Sequence, residues 1–169
     1  MKRTMFVTNS LTGGGAERSM NLVVNELSKR EWPVSLVPIN SSEQDLVIPV
    51  CQVFQLHRNW RGNFVNSFAA FVRFVQVVRA WNPDVLVLNC DLPELFGALI
   101  FGKRDYVIVE HSNLSWSTRK RMGKVVRRIL TLKNAKWLAV SPHIKIWPTE
   151  FFAETVIQNP FLPSTNHID

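Results

Sequence analysis

Cysteine is scarce in this 169-residue chain, and its two copies, Cys51 and Cys90, stand far apart with no C-x-x-C pair. That spacing excludes a disulfide framework and the common zinc motifs, and points to a reducing compartment, the cytoplasm. Long apolar runs are also missing. The best candidate, Phe64 to Trp81, is interrupted by Arg73 and Arg79 and so falls short of the ~20 uninterrupted apolar residues a membrane span requires. Near the N-terminus, Met5 to Val7 follows Lys2 and Arg3 but is too short for a signal-peptide core. No Asp-x-Asp pair or histidine cluster has metal-ligand spacing, so no metal is expected. Acid is the rarer charge: thirteen Asp and Glu against twenty Lys and Arg, a formal +7. Such an excess favours anionic partners, whether nucleic acid, acidic lipid or a phosphorylated substrate.

What the chain does have is alternation. Strand-like apolar runs at Met5 to Thr8, Val34 to Ile39, Val53 to Leu56, Val85 to Leu88, Tyr106 to Val109, Trp137 to Val140 and Thr155 to Ile157 are separated by amphipathic stretches. Helices are predicted at Ala16 to Arg30, Phe64 to Trp81, Pro93 to Phe101 and Arg119 to Lys136, with a further helical turn opened by Ser141 and Pro142. This is the pattern of a doubly wound parallel sheet in three α/β/α layers, a Rossmann-like fold. One domain over residues 1–158 accommodates it, and the proline-rich 159–169 reads as the start of an interdomain linker.

The most informative stretch is Thr8-Asn9-Ser10-Leu11-Thr12-Gly13-Gly14-Gly15-Ala16-Glu17-Arg18, a triple glycine between the first strand and the first helix. Glycines let backbone N–H groups approach a phosphate or a sugar hydroxyl, and the helix adds its positive N-terminal end. Tight strand-to-helix packing is the plainer alternative. A P-loop is excluded because Ala16 and Glu17 stand where Lys-Ser or Lys-Thr would be. A dinucleotide site lacks both the G-x-G-x-x-G spacing and an acidic residue closing the second strand, which ends Ile39-Asn40.

Other matching pieces are Asn25 to Arg30, Asn82-Pro83-Asp84-Val85, Val109-Glu110-His111, Leu138 to Ser141 and Val156 to Pro160. In this order, and over nearly the whole chain, they resemble the N-terminal, acceptor-side domain of family-4 retaining glycosyltransferases of the GT-B fold. The resemblance implies a sugar-transfer enzyme that uses a nucleotide-sugar as substrate and needs no cofactor. Its acceptor would be a glycan or a lipid-linked acceptor, with surface polysaccharide biosynthesis as the setting. It also implies a second, donor-binding domain absent from this chain, without which the fragment alone is inactive. On the same resemblance Gly14 and Gly15 approach the donor diphosphate and the acceptor, Gly13 shapes the turn, Glu17 and Arg18 belong to the loop, and His111 stands beside the transferred sugar as the catalytic candidate. A histidine hydrogen-bonded to a loop carbonyl is the structural alternative for His111.

Asp91 and Glu94 follow a strand and invite a glycosidase reading, but are more simply read as the N-cap and capping-box partner of the helix at Pro93. Arg119 to Lys136 contains eight basic residues and no acidic one, with an apolar stripe at Met122, Val125, Val126, Ile129 and Leu130. Arg119, Lys120, Lys124, Arg127 and Arg128 are therefore candidates for contact with an anionic membrane surface at the inner face, with Trp60, Arg61 and Trp116 as interfacial partners. The plainer alternative is a solvated basic face. A non-catalytic phosphate- or glycan-binding module is the competing function. Nucleic acid is not an expected partner, since no helix-turn-helix, RRM or zinc pattern is present.

Overall fold

Met5, Phe6, Val7 and Thr8 are all buried, as a continuous apolar run demands when both faces of a strand are covered. They form most of β1 (Thr4–Thr8) in a computed structural model that describes residues 1–12, 14–41, 50–59, 63–112, 115–147, 151–152 and 155–156. Gly13, Trp60, Arg61 and the expected linker lie outside the described residues. The chain continues through α1 (Gly15–Lys29), β2 (Val34–Pro38), β3 (Gln52–Val53), α2 (Phe64–Trp81), β4 (Val85–Asn89), α3 (Asp91–Leu99), β5 (Asp105–Glu110), α4 (Lys120–Leu132) and β6 (Lys136–Ala139). Three short strands follow: β7 (Lys145–Ile146), β8 (Phe151–Phe152) and β9 (Thr155–Val156).

One sheet runs β3-β2-β1-β4-β5-β6-β9, and every neighbouring pair is parallel. The predicted doubly wound α/β class is the one observed. Period-two alternation splits the core. Met5 and Val7 join Phe74, Phe96 and Leu130 on the face covered by α2, α3 and α4, while Phe6 joins Met20 and Val24 beneath α1. The order reverses at β1, which pairs β2 on one side and β4 on the other. In open sheets of this kind the crevice beyond the carboxyl ends at such a switch point is where ligands bind.

Local chemistry sets the helix ends. The Asn63 side chain accepts from the Asn66 N–H at 3.1 Å to open α2, and Asn82, at φ 47°, ends it before Pro83. The last carbonyls of α3 are gathered by Lys133 Nζ, which donates to Gly97, Ala98 and Ile100 at 3.1, 2.8 and 2.5 Å. Thus one cation of the basic segment serves another helix rather than the surface.

Three expectations need correction. The basic helix stops at Leu132, where Asn134 takes a left-handed φ of 57°, rather than running to Lys136, which begins β6. Ser141-Pro142 opens a turn closed by Ile144 N–H to Ser141 O at 3.1 Å, and the chain then enters β7, antiparallel to β8, instead of a helix. Val125 faces solvent, so the buried stripe of α4 is Gly123, Val126, Arg127 and Leu130.

Candidate functional site

Three strand ends converge on the crevice: β1 with the glycine loop, β4 with Asn89, Cys90 and Asp91, and β5 with Glu110 and His111. Gly14 is the N-cap of α1 in an extended conformation, its N–H donating to Thr12 O at 3.2 Å and its carbonyl accepting from Arg18 N–H at 3.1 Å. The Glu17 carboxylate folds back over Gly14 and takes the space a Cβ there would need. At Gly15, by contrast, a Cβ would meet no atom within 4 Å. Protein packing therefore does not require glycine at position 15, which leaves open space above the first turn of the helix. Arg18 is exposed on the same turn.

Some of the buried polar atoms without partners among the described residues lie at these ends, while Ser35 Oγ, Tyr106 Oη and Arg104 Nε and Nη1 lie toward the amino ends of the strands. Thr8 Oγ1, Asn9 Oδ1, both amide atoms of Asn89 and His111 Nε2 are buried and make no hydrogen bond among the described residues, as do both amide atoms of Asn21 on the inner side of α1. A buried polar group left unpaired costs ~1–3 kcal/mol, so native proteins keep few of them, and those few call for a functional reason. His111 is partly buried, and burial lowers its pKa from the ordinary 6.5, which keeps the imidazole neutral. The alternative of an Nε2 bond to a loop carbonyl is not observed among the described residues.

Beside this open set lies a closed one. Arg127 is 1% exposed. Its Nε donates to Glu94 Oε2 at 2.9 Å, and its second terminal nitrogen to Glu94 Oε1 and Glu110 Oε2, each at 2.7 Å. The other terminal nitrogen donates to the Trp147 carbonyl at 2.5 Å, and the guanidinium lies 5.1 Å from the centre of the Trp137 ring. Trp116 Nε1 donates to Glu94 Oε2 at 2.8 Å, its backbone N–H to both oxygens of Asp91 at 3.1 and 3.0 Å, and the Ser115 hydroxyl to Glu110. Gly123 makes room for this tryptophan, because a Cβ there would strike its ring and its own Cβ. One guanidinium thus ties together the residues that follow β4, the end of β5 and helix α4.

The brace overturns three readings. Asp91 is not the cap of α3; Cys90 is, at φ 81°, with no side-chain cap bond, and Glu94 is an ion-pair partner rather than half of a capping box. Arg127 is no membrane-contact residue, since its charge is consumed inside the protein. Trp116 is 2% exposed and cannot be an interfacial anchor. Arg119, Lys120, Lys124 and Arg128 are exposed. The signal that could have found the brace is positional: Arg127 lies between Gly123 and Leu130 on the buried side of its helix, and a charge there demands carboxylates opposite it.

The field in the crevice is acidic. Burial pushes the Cys90 thiol up to about 12, and the charges of Glu17, Asp91, Glu94 and Glu110 add to it, so the sulfur stays protonated and is no nucleophile. Burial likewise raises the carboxyl pKa of Asp91, Glu94 and Glu110, against the pull of Arg127. No group of three or more His, Cys, Asp or Glu among the described residues could hold a metal ion.

A Rossmann-like parallel sheet, with a glycine loop and a histidine beyond its carboxyl ends, defines the class: an α/β domain with a ligand crevice at the switch point of its sheet. Residues 13–160 match the profile of Glycosyltransferase Family 4, and the chain belongs to that family. No curated protein matches it significantly. Among solved structures it is similar to a putative UDP-N-acetylglucosamine 2-epimerase from Listeria monocytogenes, with 14% identity over 84% of this chain and a TM-score of 0.57. That likeness is one of fold, and the chain spans 40% of the length of that structure.

Proposed function

We propose that this chain is the acceptor-binding half of a retaining glycosyltransferase that moves a sugar from a nucleotide-sugar to a glycan or lipid-linked acceptor in surface polysaccharide synthesis. The observation that carries this reading is the set of unpartnered polar atoms at Thr8, Asn9, Asn89 and His111, placed at a switch point in a family-4 domain. Carboxylates and neutral amides suit neutral, polyhydroxylated ligands. The acidic field that Glu17 and Asp91 set at Cys90 therefore favours sugar hydroxyls over a phosphate beside the end of β4.

In the proposed reaction an acceptor hydroxyl bonds to the anomeric carbon as the bond from that carbon to the diphosphate oxygen breaks on the same face. The hydroxyl proton leaves with the diphosphate. The first turn of α1, from Gly15, offers backbone N–H groups for the charge that develops there, and a donor-binding domain supplies the cations. Neutral His111 holds a sugar hydroxyl by a hydrogen bond through Nε2, an orienting contact that a charged imidazolium could only donate.

The test is transfer from a panel of nucleotide-sugars by the longest form of the protein, wild type and His111→Ala. Turnover is expected to fall about a hundredfold while the melting temperature is unchanged. Equal turnover of the two would remove His111 from the mechanism. If no donor supports transfer but acceptor glycans still bind saturably, the domain is a binding module instead.

A further inference from the structure

Two helices carry outward rows of side chains that the described fold leaves uncovered. On α2, Phe64, Val65, Phe68 and Val72 are exposed, Phe64 at 84% and Phe68 at 59%. Their helical spacing sets them on the side away from Ala70, Phe74 and Val78, which enter the core. On α4 the ridge Arg121, Val125, Arg128, Leu132 alternates cation with exposed apolar residue. Neither helix contains an Asp or a Glu. They belong to one layer, for α3 lies between them: Phe71 and Phe74 pack on Phe96, and Glu94 pairs with Arg127. Each helix joins one parallel strand to the next, so each begins at the carboxyl end of the sheet, the end where the crevice opens.

We infer that the outer face of α2 and α4 docks on an anionic lipid bilayer. Phe64, Phe68 and Val72 enter the acyl boundary, and Arg121, Lys124 and Arg128 lie among the head-group phosphates. Whatever takes these rows must be apolar and negatively charged at once, and a bilayer with acidic head groups is both. No described helix is long and apolar enough to cross a membrane, so the contact is peripheral. The purpose of the docking, to bring a lipid-linked acceptor to the crevice, rests on the sugar-transfer reading; the docking itself does not.

Flotation with phosphatidylcholine vesicles, with and without phosphatidylglycerol, tests it on the chain as it stands. The wild type should float with the anionic vesicles only, and added salt should release it. Phe64→Ser with Phe68→Ser should lower the bound fraction roughly tenfold or more. Arg121→Gln with Lys124→Gln and Arg128→Gln should do the same. All five positions are exposed, so melting curves that match the wild type verify that both variants fold. Equal binding to neutral and anionic vesicles would overturn the inference, and so would undiminished binding of the phenylalanine variant. A wild-type oligomer that the phenylalanine variant dissolves in light scattering, with no vesicle binding, would assign the face to a second copy instead. Transfer to a water-soluble acceptor by the longest form of the protein separates the two failures: a wild type that transfers sugar but binds no vesicle sinks the docking alone.

Discussion

The two loops that wall the crevice are built in opposite ways. The one after β1 is held by a Thr12 to Ser10 hydroxyl bond and a few backbone contacts, and keeps Thr8 and Asn9 polar atoms unpartnered among the described residues. The one after β5 is tied through Glu110, Ser115 and Trp116 into the Arg127 brace, with Glu94 and Asp91 receiving the other donors. The first wall has hydrogen-bonding capacity to offer a ligand, and the second, His111 Nε2 apart, has spent its own on rigidity. A binding crevice needs both, since groups that recognise a substrate gain from being carried on a frame that does not adjust.

The sharpest way to break this contrast is to remove the tie. Arg127→Met leaves two carboxylates buried without their cation, which typically costs ~3–5 kcal/mol, and should lower the urea midpoint accordingly. Thr8→Val, on the other wall, removes a hydroxyl with no described partner and should leave the midpoint nearly where it was. A small loss in Arg127→Met would show that Glu94 and Glu110 share a proton or reach water, and that the second wall is not braced as described.

A gentler probe is pH. Glu94 and Glu110 have folded pKa values raised by burial above the ordinary 4.5. Their favourable contribution is therefore complete below that value and is lost as pH rises through the raised folded values. His111 is lowered by burial from 6.5, so its contribution is present above 6.5 and is lost as pH falls through the lowered value. Glu110→Gln should flatten the falling limb above 4.5, and His111→Ala the falling limb below 6.5, in stability measured by denaturant titration across this range. A Glu110→Gln profile parallel to the wild type would mean that burial does not govern this carboxyl.

Much of the frame was readable from pattern alone. α2 occupies the residues expected of it, with an Asn-Pro pair closing it, and β1, β2, β4 and β5 fall within a residue or so of their apolar runs. The sites failed where one residue type serves two purposes. Glu94 fits a capping box as well as it fits a buried pair, and only the arrival of Arg127, thirty-three positions later, decides between them. Arg127 in turn was concealed by the neighbouring cations, although its position on the apolar side of α4 distinguishes it from Arg128, which is exposed. The pairing of β7 with β8 had no signal either, for two-residue strands carry no periodicity.

The smallest expected effect is also the one that separates fold from function most cleanly. Gly15 begins α1 and an added Cβ meets nothing within 4 Å. Gly15→Ala should therefore stabilise the domain by about 0.4–1 kcal/mol, through the lower entropy of the unfolded chain. At Gly14 the same change must first displace the Glu17 carboxylate, so its gain should be smaller. If sugar hydroxyls approach the backbone at the first wall, the methyl group at position 15 takes their space, and the more stable protein should bind acceptor more weakly, with a raised KM and a kcat that changes less. A variant that is more stable and equally active would show that the glycine is dispensable there, and that the acceptor is held by Asn89 and His111 without the loop.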